Sequence, residues 1–333
     1  MATALDSIRG TVSDLALSNP NWSNTDRSIV EMFKQTNEIL DEMIMVQCNN
    51  KTVHKSTVRT ALPDVAWRML NRGIKPTKGG KKQETFTTGV LESHSEVDER
   101  ELIYGEPGSE ANSQYRLDES KAHQMSMSNK MATTLFYGDE KINPAGFTGL
   151  GAYYYSLDPE ICIAADYVVD AGGTGNNLTS LYFVVWDPST IHGIFPEGTI
   201  AGFKHRDNGR VQIHDTENGG SFWGYQAQLN WDLGLAVRDF RYGVRVANID
   251  VTNLDAKFLN TMIEAHEKIE DMSAGKVAIY CNRSVRTYLS KLAADKHNVM
   301  LNIDMYHGKR VTHFWDAPIR RVDAILNTEE RIV

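Results

Sequence analysis

Residues 135–150 read LFYGDEKINPAGFTGL and close a long helical pattern. Before this stretch, apolar side chains fall on one side of a predicted helix from Asp118 to Tyr137, and acidic and polar residues stand near its start. Gly138 follows directly, at the position where glycine commonly ends a helix. The sequence therefore predicts a long amphipathic helix that stops at Gly138.

A second helical pattern precedes residue 50. Apolar residues recur at three- and four-residue steps from Ile29 to Ile44, and Asn24-Thr25-Asp26 offers side-chain oxygens that cap a helix start. Cys48-Asn49-Asn50 ends the pattern. Residues 1–24 are small and polar, and we expect them to form an arm that becomes ordered on a partner.

Residues 50–85 carry no apolar stripe wide enough to bury. Proline and glycine punctuate the stretch, and Lys78-Gly79-Gly80-Lys81 is typical of the tip of a hairpin or flexible loop. An excursion of about 35 residues without a core of its own is uncommon in a compact domain and is usually functional.

The charges of this region form two adjacent blocks of opposite sign. Nine basic residues and one acid lie between Lys51 and Lys82, a net charge of +8, whereas seven acids and Arg100 lie between Glu92 and Glu110, a net charge of −6. Adjacent blocks of this kind indicate surfaces that meet a partner.

The second half of the chain alternates helical and strand patterns. A helix after Thr252, a strand from Lys276 to Cys281, a further helix and an alternating strand up to Met305 form a βαβ-like unit. Residues 187–247 have strand-like alternation but no secure place in a fold. We predict an α+β protein with a mixed sheet.

The sequence of 333 residues, with a net charge of −8, shows no catalytic, cofactor-binding or metal-binding signature. Gly172-Gly173-Thr174-Gly175 is followed by a strand pattern instead of a helix, and Gly79-Gly80-Lys81-Lys82 lacks the flanking residues of a phosphate loop. Ten histidines fall in no zinc-binding spacing, and Glu329-Glu330 is interpreted as solvated or salt-bridged. No secretion signal or membrane span is predicted. We predict no enzyme activity and no cofactor.

Three stretches together resemble the major capsid proteins of tailed double-stranded DNA bacteriophages, which have the Hong Kong 97-type capsid fold. The first, residues 62–73, reads LPDVAWRMLNRG and leads through the basic tip to Thr85-Phe86 and the acidic run. The second is LFYGD followed by FTGL within residues 135–150, and the third is APIRRVDAILNTE at residues 317–329. The resemblance is weakest over residues 1–24 and 187–247.

The resemblance implies a domain scheme. Residues 1–24 correspond to an N-terminal arm, 25–49 to a first helix of the peripheral domain, 50–85 to an extended hairpin loop, and 86–143 to a peripheral domain with a spine helix at 118–137. Residues 144–310 correspond to an axial domain, and 311–333 return to the peripheral domain.

The resemblance also implies a function and partners. We expect a structural protein of the virion, assembled in the host cytoplasm into hexamers and pentamers of an icosahedral head that encloses DNA through weak, non-specific contact. Further expected partners are a portal, a cementing or decoration protein, and a scaffold, which is separate because the chain starts close to its first predicted helix. The alternatives are an encapsulin-like nanocompartment shell and, more remotely, an enzyme with degenerate motifs.

The opposite charge blocks supply a hypothesis for contacts between subunits. Basic residues of the loop would lie against the acidic strand region of an adjacent subunit. The candidate residues are Arg72, Lys75, Lys78, Lys81 and Lys82 on the basic side, and Glu92, Glu96, Asp98, Glu99 and Glu101 on the acidic side.

Overall fold

The computed structural model describes residues 35–105, 109–214, 219–254, 257–294, 300–306 and 309–333, without the side chains of 104–105, 109–114, 304–306 and 309. The chain divides into two compact units. One contains residues 90–131 and 202–232 together with Gln35, and the other contains 36–89, 132–201 and 233–333. The predicted N-terminal arm, residues 1–24, lies outside the described residues.

The described residues contain six α-helices and thirteen strands. The helices are α1 (Ile39–Glu42), α2 (Glu99–Gly105), α3 (Ser109–Tyr137), α4 (Leu150–Tyr153), α5 (Lys257–Glu267) and α6 (Arg283–Ala293). The strands are β1 (Met45–Gln47), β2 (Val53–Arg59), β3 (Lys81–Asp98), β4 (Val168–Asp170), β5 (Leu178–Trp186), β6 (Ile191–Phe195), β7 (Gly202–His214), β8 (Ser221–Val237), β9 (Gly243–Asp250), β10 (Lys276–Cys281), β11 (Leu301–Tyr306), β12 (Lys309–Phe314) and β13 (Ala317–Arg321).

The larger unit is built on a mixed sheet in the order β11-β12-β13-β10-β5-β6. Every residue of β5 is buried, which explains its continuous apolar run, because a strand covered on both faces has no solvent side. Strand β10 is antiparallel to β5 and parallel to β13. Strands β12 and β13 therefore separate β10 from β11, so the predicted βαβ-like unit is not a pair of neighbouring parallel strands.

Helices α5 and α6 cover this sheet with their apolar sides. Phe258 and Met262 of α5 and Val285 and Leu289 of α6 join the buried side chains of β5, β9 and β10 in one hydrophobic core. The side chain of Asn282 caps α6 by accepting a hydrogen bond from the Val285 amide at 2.9 Å.

The junction that follows α3 is held by two glycines. The Gly138 amide donates to the Thr134 carbonyl at 2.8 Å, and the Gly149 amide donates to the Gly138 carbonyl at 2.9 Å. A Cβ atom on Gly149 would collide with the carbonyl oxygens of Thr134 and Leu135. Glycine is needed at this position because two backbone segments approach closely.

The smaller unit is an antiparallel hairpin combined with part of β3, α2 and most of α3. Strands β7 and β8 pair from Gly202 opposite Asp232 to His214 opposite Ser221, with a bulge between Asp207 and Gly209. A small core of Val97, Leu102, Tyr115 and Tyr225 fills this unit.

Two expectations from the sequence need correction. The helix predicted within residues 25–49 does not reach residue 49, because the described part contains the single turn α1 and then β1, which pairs in parallel with β6. The spine helix starts at Ser109 instead of Asp118. Strand β13 pairs with β10 and with β12, and the assignment of residues 144–310 to an axial domain and of 311–333 to a peripheral domain stays a prediction.

Candidate intersubunit contact surface

The hairpin of β2 and β3 supports a long excursion at residues 60–80, here called the tip loop. The strands pair from Val53 opposite Thr87 to Arg59 opposite Lys81. Beyond the strands, the Thr60 amide donates to the Gly80 carbonyl and the Gly80 amide to the Ala61 carbonyl, each at 3.1 Å. The tip loop therefore continues the direction of a two-stranded ribbon.

The far part of the tip loop has its own hydrogen bonds. The Thr77 hydroxyl donates to the Asp64 carbonyl at 2.7 Å and links the two arms. At the turn, the Arg72 amide donates to the Met69 carbonyl at 3.2 Å, and Asn71 has a positive φ of 65°. These contacts give the tip loop a defined shape although no core lies beneath it.

The basic candidate residues are spread along this excursion. Arg72, Lys75 and Lys78 are exposed on the tip loop, and Lys81 and Lys82 are exposed at the start of β3. Lys82 lies 3.5 Å from the Glu84 carboxylate. Among the residues that the structure describes, this is the one ion pair formed by the five candidates.

The acidic candidate residues lie in the smaller unit and are engaged within the chain. Glu92 accepts hydrogen bonds from Gln228 and from His94, and these bonds lower the pKa of its carboxyl group. Glu96 accepts from the Gln226 amide at 3.0 Å, and Glu99 pairs with Arg210 at 2.7 Å.

The two remaining acids of the set are engaged as well. Asp98 accepts from the Arg100 amide at 2.8 Å at the start of α2, and Glu101 also takes part in an interaction. The acidic set is therefore not a row of unoccupied carboxylates.

A feature that the sequence interpretation missed is the apolar character of the tip loop. Its large apolar side chains project into solvent, with exposed fractions of 77% for Leu62, 93% for Val65, 103% for Trp67, 72% for Met69 and 93% for Leu70. Large apolar residues in a basic, proline-containing segment were the available signal, because such side chains rarely stand exposed together without a partner.

A buried ion pair connects the C-terminal segment to the sheet. Arg245 donates to the Glu329 carboxylate at 2.9 Å, and both side chains are more than 90% buried. Glu329 also accepts from the Tyr137 and Ser180 hydroxyl groups. Burial and the Glu329 charge raise the pKa of Tyr137 well above its ordinary value. Glu329, predicted to be solvated or salt-bridged, is thus paired in the interior.

A histidine pair lies at the base of the hairpin. The rings of His54 and His192 meet edge to face with centroids 5.4 Å apart. Burial, together with the nearby charges of His54 and Arg238, lowers the pKa of His192 to about 4. Arg238 is held by a 2.7 Å hydrogen bond from its Nε to the Ser56 hydroxyl.

The described ranges contain no group of three or more His, Cys, Asp or Glu side chains placed to hold a metal ion. Within the same part of the chain, no helix is both long and apolar enough to cross a bilayer. Asp207 pairs with Arg116 at 2.6 Å.

Comparison with known proteins identifies a family. The family model for major capsid protein GP7 matches residues 22–333. A chain in the near-atomic-resolution structure of bacteriophage Epsilon15 is 29% identical, with 99% of each chain covered and a TM-score of 0.75. Among curated proteins, no sequence match to this chain is found.

More distant structures are also similar. A chain of the bacteriophage JBD30 capsid is 9% identical with a TM-score of 0.49, covering 93% of this chain and 98% of that one. A chain of an encapsulin complex from Synechococcus elongatus is 10% identical with a TM-score of 0.44, covering 75% of this chain and 99% of that one. The predicted α+β fold and the resemblance to phage capsid proteins are confirmed.

Proposed function

The chain belongs to the major capsid protein GP7 family, and we propose that it forms the hexamers and pentamers of an icosahedral phage head that encloses double-stranded DNA. It is a structural protein of the virion. The observation that carries this function is the family match over residues 22–333. The family favours the virion over the encapsulin-like alternative and over an enzyme.

The tip loop supplies a contact to an adjacent subunit. It projects beyond the β2–β3 ribbon and carries exposed cations. Its basic residues would form ion pairs with the acidic candidate residues of the neighbouring subunit. These ion pairs would compete with the hydrogen bonds and ion pairs that the acidic residues form within their own chain. Exposed pairs of this kind contribute about 0.2–1 kcal/mol each, so they would determine register more than total stability.

Further partners follow from the same function. A separate scaffolding protein, a portal and a decoration protein would act with the shell, and packaged DNA would be held by weak, non-specific contact. The net charge of −8 supports this last point, because an acidic wall does not retain phosphate groups strongly.

The function is tested by size-exclusion chromatography and negative-stain microscopy of the purified chain, with and without co-expressed neighbouring genes. We expect closed shells, or hexamers and pentamers far above 37.4 kDa. A monomer or dimer under every condition would contradict the proposal. Shells that enclose a cellular enzyme in place of DNA would support the encapsulin-like alternative.

The charge hypothesis has its own test. Reversal of Lys78, Lys81 and Lys82 to Glu is expected to block or misdirect assembly while the monomer stays folded. Reversal of Lys141, Lys291 and Arg331 to Glu, three cations that are exposed elsewhere, is the control with the same change in net charge. Normal shells from the triple variant would refute the role of these cations.

A further inference from the structure

We propose that Asn208 is a site of self-catalysed deamidation, at which the backbone nitrogen of Gly209 displaces the side-chain amide with help from the Asp207 carboxylate. The same reaction breaks a chain of hydrogen bonds that leads from Asn208 to Glu96. The proposal goes beyond the assembly function and does not depend on it, because the reaction takes place within one chain.

Asn208 is the extra residue of the bulge in strand β7. Asp207 lies opposite Ala227 of β8, and the next residue in register is Gly209, opposite Gln226. A bulge disrupts the ladder locally and leaves its extra residue unpaired. Gly209 has a positive φ of 70°, and a Cβ atom there would meet nothing within 4 Å. The nitrogen that follows Asn208 is therefore unobstructed by a side chain or by packing.

The Asp207 carboxylate holds the attacking group. The Gly209 amide donates to Asp207 Oδ1 at 2.8 Å, within the same strand, instead of donating across the ladder to β8. Partial burial acts to raise the pKa of the Asp207 carboxyl group, but the Gly209 amide and the Arg116 charge outweigh it and lower this pKa below its ordinary value. Asp207 is therefore an anion at neutral pH and can accept the amide proton.

The reaction has two steps and needs only water. In the first step, the Gly209 nitrogen bonds to Cγ of Asn208 and the Cγ–Nδ2 bond breaks. Ammonia leaves with the proton that Asp207 takes from the Gly209 amide, and a succinimide ring remains. In the second step, water opens the ring at either carbonyl and gives aspartate or isoaspartate at position 208. One water is consumed, one ammonia is released, and no electron is transferred.

The side chain of Asn208 is part of a directed chain of hydrogen bonds. The Glu96 carboxylate only accepts, so Gln226 donates its Nε2 to Glu96 Oε1 at 3.0 Å. The opposite atom of the Gln226 amide, Oε1, then accepts from Asn208 Nδ2 at 3.1 Å. The orientation of each amide in this chain is thus determined by the carboxylate at its end.

Deamidation reverses one end of this chain. A carboxylate at position 208 has no hydrogen to donate, so two acceptor oxygens would face each other across the Asn208–Gln226 contact. Gln226 must turn its amide to donate towards position 208, and it then loses its bond to Glu96. The modification therefore adds one negative charge and also alters the surroundings of Glu96, one of the acidic candidate residues.

Asn248 shows how the fold protects an asparagine from the same reaction. It also has a positive φ, but it is 3% exposed and is followed by Ile249 instead of glycine. Its side chain donates to Asp170 and to the Ile332 carbonyl, and accepts from the Ile332 amide. Asn248 is the internal reference for an asparagine that should stay unmodified.

Peptide mass spectrometry during prolonged incubation tests the site. The unassembled chain is compared with a synthetic peptide of residues 203–213, both at physiological pH and temperature. We expect the folded chain to convert Asn208 at least as fast as the peptide, with isoaspartate among the products, and to leave Asn248 intact. Fragmentation separates position 208 from Asn218, which precedes Gly219 and lies outside the described residues. Slower conversion in the folded chain than in the peptide, or conversion at Asn218 alone, would overturn the proposal.

Substitution of Asp207 tests its role. General bases typically contribute about 100-fold or more, and a carboxylate of low pKa is a weak base, so Asp207→Ser should slow the conversion about tenfold in the folded chain. The same change in the peptide should have little effect, because the peptide does not hold the carboxylate in place. Arg116→Gln is the control, since it removes the ion pair with Asp207 and keeps the carboxylate. An equal slowing by Arg116→Gln, or none by Asp207→Ser, would refute the role of Asp207.

The hydrogen-bond chain has a separate readout. Asn208→Asp carries one reaction product from the start, and we expect it to shift the side-chain amide NMR signals of Gln226 to the positions that they reach in aged wild-type chain. The side-chain amide of Gln212, which donates to the Ser221 hydroxyl at 2.5 Å, is the control and should not move. Unchanged Gln226 signals would refute the proposed link to Glu96. All three measurements use the unassembled chain, so their failure leaves the assembly function intact.

Discussion

Replacement of Glu329 by Ala is expected to cause a large loss of stability through the charge that it leaves behind. The carboxylate is 6% exposed and accepts hydrogen bonds from Arg245 and from two hydroxyl groups, those of Tyr137 and Ser180. Without it, the Arg245 guanidinium, which is 7% exposed, remains buried with no anionic partner.

The expected loss of stability follows from the free-energy cost of removing one partner of a buried ion pair. Removal of one partner typically costs about 3–5 kcal/mol, because the remaining charge cannot be hydrated. With an unfolding entropy of about 2.1 cal/mol/K per residue, this loss lowers the Tm of the chain by roughly 4–7 °C. The neutral replacement Glu329→Gln, which retains a carbonyl acceptor, should have a smaller effect.

The assay is urea unfolding of the unassembled chain, followed by tryptophan fluorescence below the assembly threshold. Glu330→Ala is the matched control, since this neighbouring acid is exposed. A free energy of unfolding for Glu329→Ala within about 0.5 kcal/mol of the control would refute the reasoning. Replacement of both Arg245 and Glu329 by Met should recover part of the loss, because no buried charge then remains.

Three further predictions concern packing, pH and thiol chemistry. Gly149→Ala should lower the free energy of unfolding in urea by about 1–3 kcal/mol, because the added Cβ meets backbone carbonyls. Gly146→Ala is the control and should be tolerated, because the nearest atom to its Cβ would be 3.6 Å away. Equal stabilities of the two variants would contradict this prediction. His192 favours its neutral form when folded, with a pKa of about 4, so its contribution is fully present above about pH 6.5 and is lost as the pH falls towards 4. The loss amounts to roughly 2–4 kcal/mol, and His192→Gln should flatten the stability profile in that window; a slope identical to wild type would exclude His192 as its source. All three cysteines are buried, and burial raises the pKa of Cys281 to about 12. A thiol reagent at pH 8 should therefore modify the folded chain slowly and the unfolded chain rapidly at three sites. Rapid labelling of the folded chain would contradict the burial of the cysteines.

The helices and strands of the chain were predictable where the signal is local. The helix that ends at Tyr137, the strand Lys276–Cys281 and the helix that follows it are all present, because periodicity and capping act over a few residues. The apolar pattern around Ile44 was misinterpreted as helical. The backbone of β1 pairs with β6, some 150 residues away in sequence, and this pairing overrides local helix propensity.

The sequence likewise predicts some features of the candidate contact surface and misses others. The basic and acidic blocks were visible in the sequence, since charge is a property of composition, and their role in assembly stays a prediction. The internal partners of Glu92, Glu96 and Glu99 were not visible, because Gln228, Gln226 and Arg210 lie more than 100 residues away along the chain. Charge blocks alone therefore overestimated how available the acidic strand is.

The sequence by itself determined the family, the α+β class and the presence of a long basic excursion before the spine helix. Only the tertiary structure decided which apolar side chains are buried and which, like Trp67 and Ile163, stand exposed. It also decided that Glu329 pairs with Arg245 while Glu330 faces solvent. The physical reason is that the burial of a side chain and its ion-pair partner depend on segments distant in sequence. Helix periodicity, turns and local charge, in contrast, are determined by residues within a few positions of one another.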